Sequence, residues 1–552
     1  MSTLHTTQVD GVRTFWVDAG RPTLSASLVF RAGIVDEKLP TSGWLHLIEH
    51  LALHDRQAGA LHVNGSVSLT TTSLDLHGPP EDVARVLGEI TAWLKDPDLG
   101  RMEAEARVLR AESEYHGASA SATALLQRFG ARGAGLAGFS EPGLGRVTES
   151  GLRSLVTRVL TTGNAALALD GPPPRDLTLA LGAGDLQPLP PRPASHEQFP
   201  AGYVFDGPLV ISGQTARSVA ATVVPAVLHD LLRRRLREEA GAAYAPWSAY
   251  EIVDRDTAVV VAGSDVTRDL RPRVGDLVLD GLNDIQKSGF PASVLADRTA
   301  NFLQATQDPH QRAALAWRTV HQHLLGAEPM SLDQMIEEAR AVTSDEVIEQ
   351  VRRFAASLML GVAPDMTLST RLARMTMPST ASPSSGTTYR SRNAPASREK
   401  LVVSPDQVQV GNDHTWVGVG LSQAAGLLVV PDGARRVIAP DGWSITIEPT
   451  LWRDGREAVA QIDAAVPESR HIPVPARDAG AIPSPMSWRT RWLARSGRTL
   501  VSVGLVWLLL IAFVVVAIIG IAKGHLVVVW LPIFFGVSMV REWRRNRQGR
   551  AS

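Results

Sequence analysis

No cysteine occurs among the 552 residues. That excludes a disulfide framework, a thiolate metal site and a cysteine nucleophile, and it fits a reducing compartment. An excess of charge of either sign is also missing: 55 Lys and Arg stand against 56 Asp and Glu, a formal net charge of -1. A chain so balanced has no general electrostatic pull on nucleic acid, and none is expected as a partner. The opening residues, Met1 to Thr7, lack a basic stretch followed by an apolar core, so no cleaved export signal is expected. Nor can one core serve the whole length, since single cores rarely grow beyond about 250 to 300 residues.

What is present begins with His46-Leu47-Ile48-Glu49-His50. Positions i and i+4 of a helix stack on one face, so the two imidazoles can share a metal ion, with Glu49 beside them to bond a water. Zinc suits such a set because it takes neutral imidazole and carboxylate oxygen and lowers the pKa of its bound water to about 7. The order, with Glu ahead of the second His, is the inverted form of the zinc-protease helix motif. The plainer alternative is three surface residues on an amphipathic helix. A catalytic zinc site wants three protein ligands and an open position. The run Met102 to Tyr115 offers Glu105 and Glu112, seven apart and therefore on one helical face, with Glu103 and Glu114 as substitutes. Salt bridges are the alternative use of all four acids. His54 continues the histidine row and reads as a supporting or surface residue.

These residues give the chain its resemblance to the pitrilysin family of inverted-motif zinc peptidases. As in that family, a strand and turn (Ala26 to Glu37) precede the motif and a Glu-rich helix follows it. The resemblance implies His46, His50 and Glu112 as Zn2+ ligands, Glu49 as general base and Glu105 as supporting carboxylate. It also implies that Asn64, Gly65 and Ser66, a loose version of the family's Asn-Ala-x-Thr-like strand, pair with an extended substrate. The interval from His50 to Glu112, 62 residues, is shorter than the family usually shows. Further on, Arg237 and Tyr244 match the family's Arg and Tyr seven apart, which hold the substrate backbone and stabilise the oxyanion. Alone, Arg237 reads as one of a solvated basic run, Arg233 to Arg237.

An internal echo supports duplication. Val147-Thr148-Glu149-Ser150 opens a helix leading into the apolar run Ala165 to Leu169, and Val342-Thr343-Ser344-Asp345 opens another leading into Leu358 to Val362. The expected fold class is α+β: two pitrilysin-like units at 1–185 and 195–370, joined by a stiff Pro-rich connector. A disordered linker is expected at 371–400, lacking any apolar period. Residues 401–475 read as a small β domain, with Pro-Asp-Gly steps between short apolar runs and a pleckstrin-like or similar barrel as its form. It shows no catalytic cluster and reads as an accessory module.

Residues 499–541 are expected to form a transmembrane hairpin. Leu500 to Ala522 is nearly unbroken apolar sequence, long enough for a hydrocarbon core of about 30 Å. The second run, Leu526 to Val540, is shorter and contains Pro532. Basic flanks on both sides, Arg489 to Arg498 and Arg541 to Arg550, place both ends and the catalytic units in the cytoplasm by the positive-inside rule. The expectation is thus a membrane-anchored, two-span zinc metalloendopeptidase acting on peptides, paired as a homodimer or with a homologue to complete its site. The alternative is a catalytically inactive assembly or substrate-presenting subunit.

Overall fold

The computed structural model describes residues 4–490 apart from 58, 117, 192, 194–197, 242–244, 376–384, 395, 414 and 488–489. The first unit runs β1 (His5–Val9), β2 (Val12–Trp16), β3 (Leu24–Phe30), α1 (Trp44–Leu53), β4 (His62–Val67), β5 (Thr72–Gly78), α2 (Pro80–Lys95), α3 (Met102–His116), α4 (Ala120–Phe129), α5 (Glu149–Val159) and β6 (Ala165–Leu169). Asp10 and Gly11 both take positive φ (47° and 85°), the geometry a two-residue hairpin needs between β1 and β2. The sheet order is β1-β2-β6-β3-β5-β4, with β2 and β6 parallel and the other neighbours antiparallel. Thr148 caps α5 by accepting the amide of Gly151.

The second unit runs β7 (Ala201–Val204), β8 (Leu209–Ala216), α6 (Val224–Leu232), β9 (Trp247–Ile252), β10 (Thr257–Ser264), α7 (Val274–Ser288), α8 (Ala292–Gln307), α9 (Pro309–Leu324), α10 (Leu332–Ala341), α11 (Ser344–Ala356), β11 (Met359–Val362) and β12 (Ala373–Arg374). Its sheet order, β12-β7-β11-β8-β10-β9, repeats the first from the second position onward. Thr343 caps α11 by accepting the amide of Glu346, as Thr148 accepts that of Gly151, and the Glu346 carboxylate accepts the Thr343 amide in return.

The two units cover each other's sheets. Ala124, Leu125 and Phe129 of α4 pack with Val210, Val259 and Val261 of the second sheet. Ala316, Val320 and Leu324 of α9 pack on Phe15, Val29, Ala166 and Ala168 of the first. Each sheet would otherwise leave one apolar face in water, at a cost of roughly 25 cal/mol per Å². The connector is docked rather than free: Leu177, Leu179 and Leu181 join the first core, and Arg31 donates to the carbonyl of Gln187 at 3.0 Å.

The third unit comprises β13 (Thr387–Arg390), β14 (Lys400–Val403), β15 (Gln407–Gly411), β16 (Trp416–Gly420), β17 (Gly426–Val429), β18 (Arg435–Ile438), β19 (Ser444–Ile447), α12 (Gly455–Ala465) and β20 (His471–Pro473). Two four-stranded sheets, β13-β14-β15-β16 and β19-β18-β17-β20, share one core with α12. Within 371–400, expected to be a structureless linker, Ala373–Arg374 and Thr387–Arg390 are strands and 376–384 lie outside the described residues. Thr387–Arg390 pairs with Lys400–Val403 and buries Tyr389, a pairing that four residues of mixed polarity do not announce. The expected hairpin at 499–541 lies outside the described residues, among which no helix is long and apolar enough to cross a membrane.

Candidate metal centre and active site

Helix α1 starts from Gly43 in the left-handed region (φ 87°), where a side chain would be strained and would strike Glu141. The Glu37 carboxyl group accepts the amides of Gly43 (3.0 Å) and Leu45 (2.9 Å), satisfying donors that a helix start leaves without partners. Leu45, Leu47, Ile48, Leu51 and Ala52 are buried and fix the rotation of the helix. His46 and His50 are left half-buried on one side, their rings edge to face with centroids 4.9 Å apart. Ligand atoms of His46, Glu49 and His50 all lie within 4.8 Å of one another. Two imidazoles and a carboxylate are a donor set that zinc accepts, so the residues fit that ion.

Glu49 is buried under the end strand β4. Gly65 of that strand makes this possible: a Cβ there would sit 2.1 Å from Glu49 Oε1 and 2.6 Å from its Cδ. Asn64 and Ser66 flank it, exposed, and Ser66 Oγ lies 3.0 Å from Ser73 Oγ. As the last strand of its sheet, β4 turns one row of backbone donors and acceptors away from its partner β5.

Around the trio stands a ring of acids. Glu141 Oε1 is 2.9 Å from His46 Nδ1, and Ser113 Oγ donates to Glu141 Oε2 at 3.2 Å. A carboxylate on Nδ1 fixes that nitrogen as the protonated one and turns the Nε2 lone pair toward the centre. Glu141 holds φ 48°, a left-handed conformation that costs a non-glycine residue about 1 kcal/mol or more. Glu105 is buried, with Oε2 3.8 Å from His50 Nδ1 and Oε1 3.4 Å from His54 Nδ1. A cavity of about 210 Å³ opens beside His46, walled by Ile34, Leu136 and Phe139 and carrying Glu37, Glu112 and Glu141.

The electrostatics follow from burial and crowding. Burial lifts the Glu49 pKa to about 7; His46 opposes the rise, and Glu112, Asp75 and Glu141 reinforce it. A carboxyl titrating near 7 is suited to taking and returning a proton at neutral pH. For His46, burial disfavours the charged ring, but its bond to Glu141 and the charges of Glu141, Glu49 and Glu112 outweigh burial and the pKa is raised. His50 is lowered, by burial and then by His46. Burial also drives Glu37 up to about 8.

Of the residues named from sequence, His46, Glu49, His50 and Gly65 come together, with Glu105 beside His50. Glu112 lines the cavity with His46 and stands outside the group whose ligand atoms lie within 4.8 Å, in which Glu49 is the carboxylate. Its side chain is exposed on α3, at the end of a flexible stem, while its charge still reaches His46, Glu49 and His50. Glu103 is exposed on another face of α3. Arg237 is exposed on a π-helical turn, Arg233–Glu238, that continues α6, and it is not among the residues bonding the imidazoles or lining the cavity. Tyr244 and the Glu114 side chain lie outside the described residues. Sequence reasoning missed Glu141. The run Ser140-Glu141-Pro142-Gly143 signals only a turn, and nothing local marks an acid that reaches back 95 residues.

No protein-family model and no curated protein matches the chain. Solved structures match in fold. A peptidase M16 inactive domain from Pseudomonas fluorescens aligns with a TM-score of 0.54 at 14% identity, over 68% of this chain and 100% of that one. A protease from Helicobacter pylori gives 0.53 at 13%, over 66% and 100%. The periplasmic protease PqqL from Escherichia coli gives 0.52 at 14%, over 79% of this chain and 56% of PqqL. The two α+β units therefore carry the fold of these peptidases. Because the fold is shared by a domain described as inactive, it leaves activity to be argued from the residues.

Proposed function

We propose that the chain is a zinc metalloendopeptidase that cuts extended peptides or small unfolded proteins. The observation that supports this most directly is Glu49, buried beside two imidazoles in a space kept open by Gly65. His46 and His50 would hold the ion, with Glu112 swinging in from the cavity wall as third ligand. Bound there, zinc supplies positive charge that makes a neighbouring water acidic enough to lose a proton near neutral pH. Glu49 takes that proton as the water oxygen adds to the scissile carbonyl, and returns it to the amine as the C–N bond breaks. Glu141 and Glu105 keep the imidazoles oriented. The substrate lies along the free edge of β4 near Asn64 and Ser66, where backbone bonds give affinity without demanding a sequence.

Arg237 and Tyr244 enter this reading as oxyanion donors supplied by the second unit of a partner subunit, in a homodimer or a pair with a homologue. The segment 499–541 would anchor the assembly in a membrane with the catalytic units on the cytoplasmic side. One observation favours the alternative of an inactive assembly subunit: Glu112 stands outside the converging group. Zinc binding and peptide cleavage by the full chain, beside Glu49→Gln, separate the two. Zinc in both proteins with cleavage only by the wild type supports the peptidase. A wild type that takes up no zinc supports the assembly role.

A further inference from the structure

The segment that carries Glu141 is gripped from two sides. Toward α1, Trp44 Nε1 donates to the carbonyl of Gly143 (3.0 Å) and the Gly143 amide donates to Ser42 Oγ (3.2 Å). Toward the β sandwich, the Arg146 guanidinium donates to the carbonyls of Glu468 (2.7 Å) and His471 (2.9 Å). Gly145 lies so close to β20 that a Cβ would sit 1.8 Å from the Pro473 oxygen. Earlier in the segment, the Ala131 amide donates to the Pro440 carbonyl (3.0 Å), and a Cβ on Gly130 would sit 2.2 Å from that same oxygen. Between these pins, Leu39, Ala131 and Leu136 form one buried cluster with Ile438 and Ile472, and Ile34 and Phe139 pack against it. Ile34, Leu136 and Phe139 are also the apolar wall of the cavity beside His46.

We infer that the β sandwich is a structural part of the active site, which by holding residues 130–146 keeps the Glu141 carboxylate on His46 Nδ1 and so aims the metal-binding imidazole. An accessory module on a tether would leave this segment alone. Here the sandwich supplies backbone acceptors, two places where only glycine fits, and the far side of the cavity wall. Glu141 needs such support, because its left-handed backbone persists only where the surroundings over-determine it. Arg146 and Gly145 are thus positioning residues: they touch neither substrate nor metal and act through Glu141. The inference rests on the zinc reading above and adds a second requirement to it. A fragment ending near residue 370 would lack the brace.

The test is zinc affinity of the full chain, measured by competition with a chromophoric chelator, so that it does not depend on turnover. Gly145→Ala and Arg146→Ala are expected to weaken zinc binding about tenfold, the usual effect of losing a group that orients a ligand. Arg146→Lys, which keeps one of the two bonds, should lose less. Glu141→Ala, which removes the acceptor, should match the larger loss. Combined with Glu141→Ala, Gly145→Ala should add nothing, because the link it acts through is already cut. Circular dichroism establishes that each variant is folded, and Arg146→Ala carries the test if Gly145→Ala is not. Affinities within twofold of wild type in Arg146→Ala and Gly145→Ala, or losses that simply add in the double variant, overturn the inference while leaving the zinc reading intact. A wild-type chain that binds no zinc overturns both.

Discussion

In the first unit β2-β6-β3-β5-β4 lie side by side, and in the second β7-β11-β8-β10-β9 repeat that order with the same parallel first pair. The helix that follows the second strand of each set packs near the end strand. In the first unit this helix is α1, which shows two imidazoles and a buried acid to β4. In the second it is α6 with its π-helical continuation, whose Arg233, Arg234 and Arg235 pair with Asp230, Glu238, Glu239 and Asp284. The end strands differ to match. β4 has Gly65 where Glu49 needs room, whereas β9 reads Trp247-Ser248-Ala249-Tyr250-Glu251-Ile252 and lays Tyr250 against its own core. The scaffold provides a place between helix and edge strand; a few residues decide whether that place holds chemistry or packing.

Glu49→Gln and Glu238→Gln put that contrast to its hardest test. The first keeps shape and removes the proton carrier, and peptide hydrolysis should fall about a thousandfold with zinc affinity little changed. The second alters an exposed acid on the matching helix, and the rate should stay within about twofold, as surface substitutions usually do. Equal losses would mean that Glu49 does nothing an exposed acid of the second helix does not. Gly65→Ala sharpens the point. Its Cβ would overlap Glu49 Oε1, which has to swing away, so kcat should drop about a hundredfold, the scale expected when a catalytic group is displaced by an ångström. KM and zinc uptake should stay near wild type; a loss confined to zinc binding would assign Gly65 to the metal instead.

The units also differ in how each covers the other. Helix α9 meets the first sheet through the apolar cluster around Val320, whereas α4 drives the buried Arg128 into the second, donating to the carbonyls of Ser212 (2.8 Å) and Ser357 (2.9 Å) and to Ser212 Oγ (3.1 Å). Arg128→Ala leaves those acceptors buried without a donor and should cost about 3 kcal/mol. Val320→Ala removes two methyl groups from a packed cluster and should cost about 2 kcal/mol. Urea unfolding of the full chain measures both. If neither shifts the midpoint, the units do not depend on each other and the exchange of helices is incidental.

Much of this was legible because it is written in local pattern. The histidine pair declares itself by spacing along one helix, and the two Thr-capped helices expose the duplication. What was not legible depends on long-range closure. Glu141 sits in a turn and gains meaning only when the chain folds back on α1. Glu37 is visible as the last residue of the turn before the motif, but its cap on Gly43 and Leu45 is a matter of three dimensions. Thr387–Arg390 is too short and polar to read as a strand before β14 lies beside it. The β domain could be read as a separate module from its turns, yet its grip on residues 130–146 depends on glycines whose neighbours are more than 300 residues away.

The cap at the start of the helix offers the finest distinction between the units. Glu37 seats a carboxyl at the first turn of α1, while α6 starts from Val223 with a proline in its first turn. In the folded chain burial holds the Glu37 pKa at about 8, against 4.5 for the free group. Folding therefore favours the protonated form. Below pH 4.5 the group is neutral in both states and its contribution is fully present; as pH rises toward 8 the unfolded chain gains by ionising and the contribution is lost. Because the cavity admits water, the loss should be on the order of 1 kcal/mol, well under what the full shift would give. Glu37→Gln cannot ionise, so the wild type should fall behind it steadily between pH 4.5 and 8 in urea midpoints taken at intervals of about one pH unit. A constant gap between the two proteins across that range would mean that the acid at the helix start is ionised in the fold. Glu37 would then be an ordinary anionic cap, and only the histidines and Glu49 would set the first helix apart from the second.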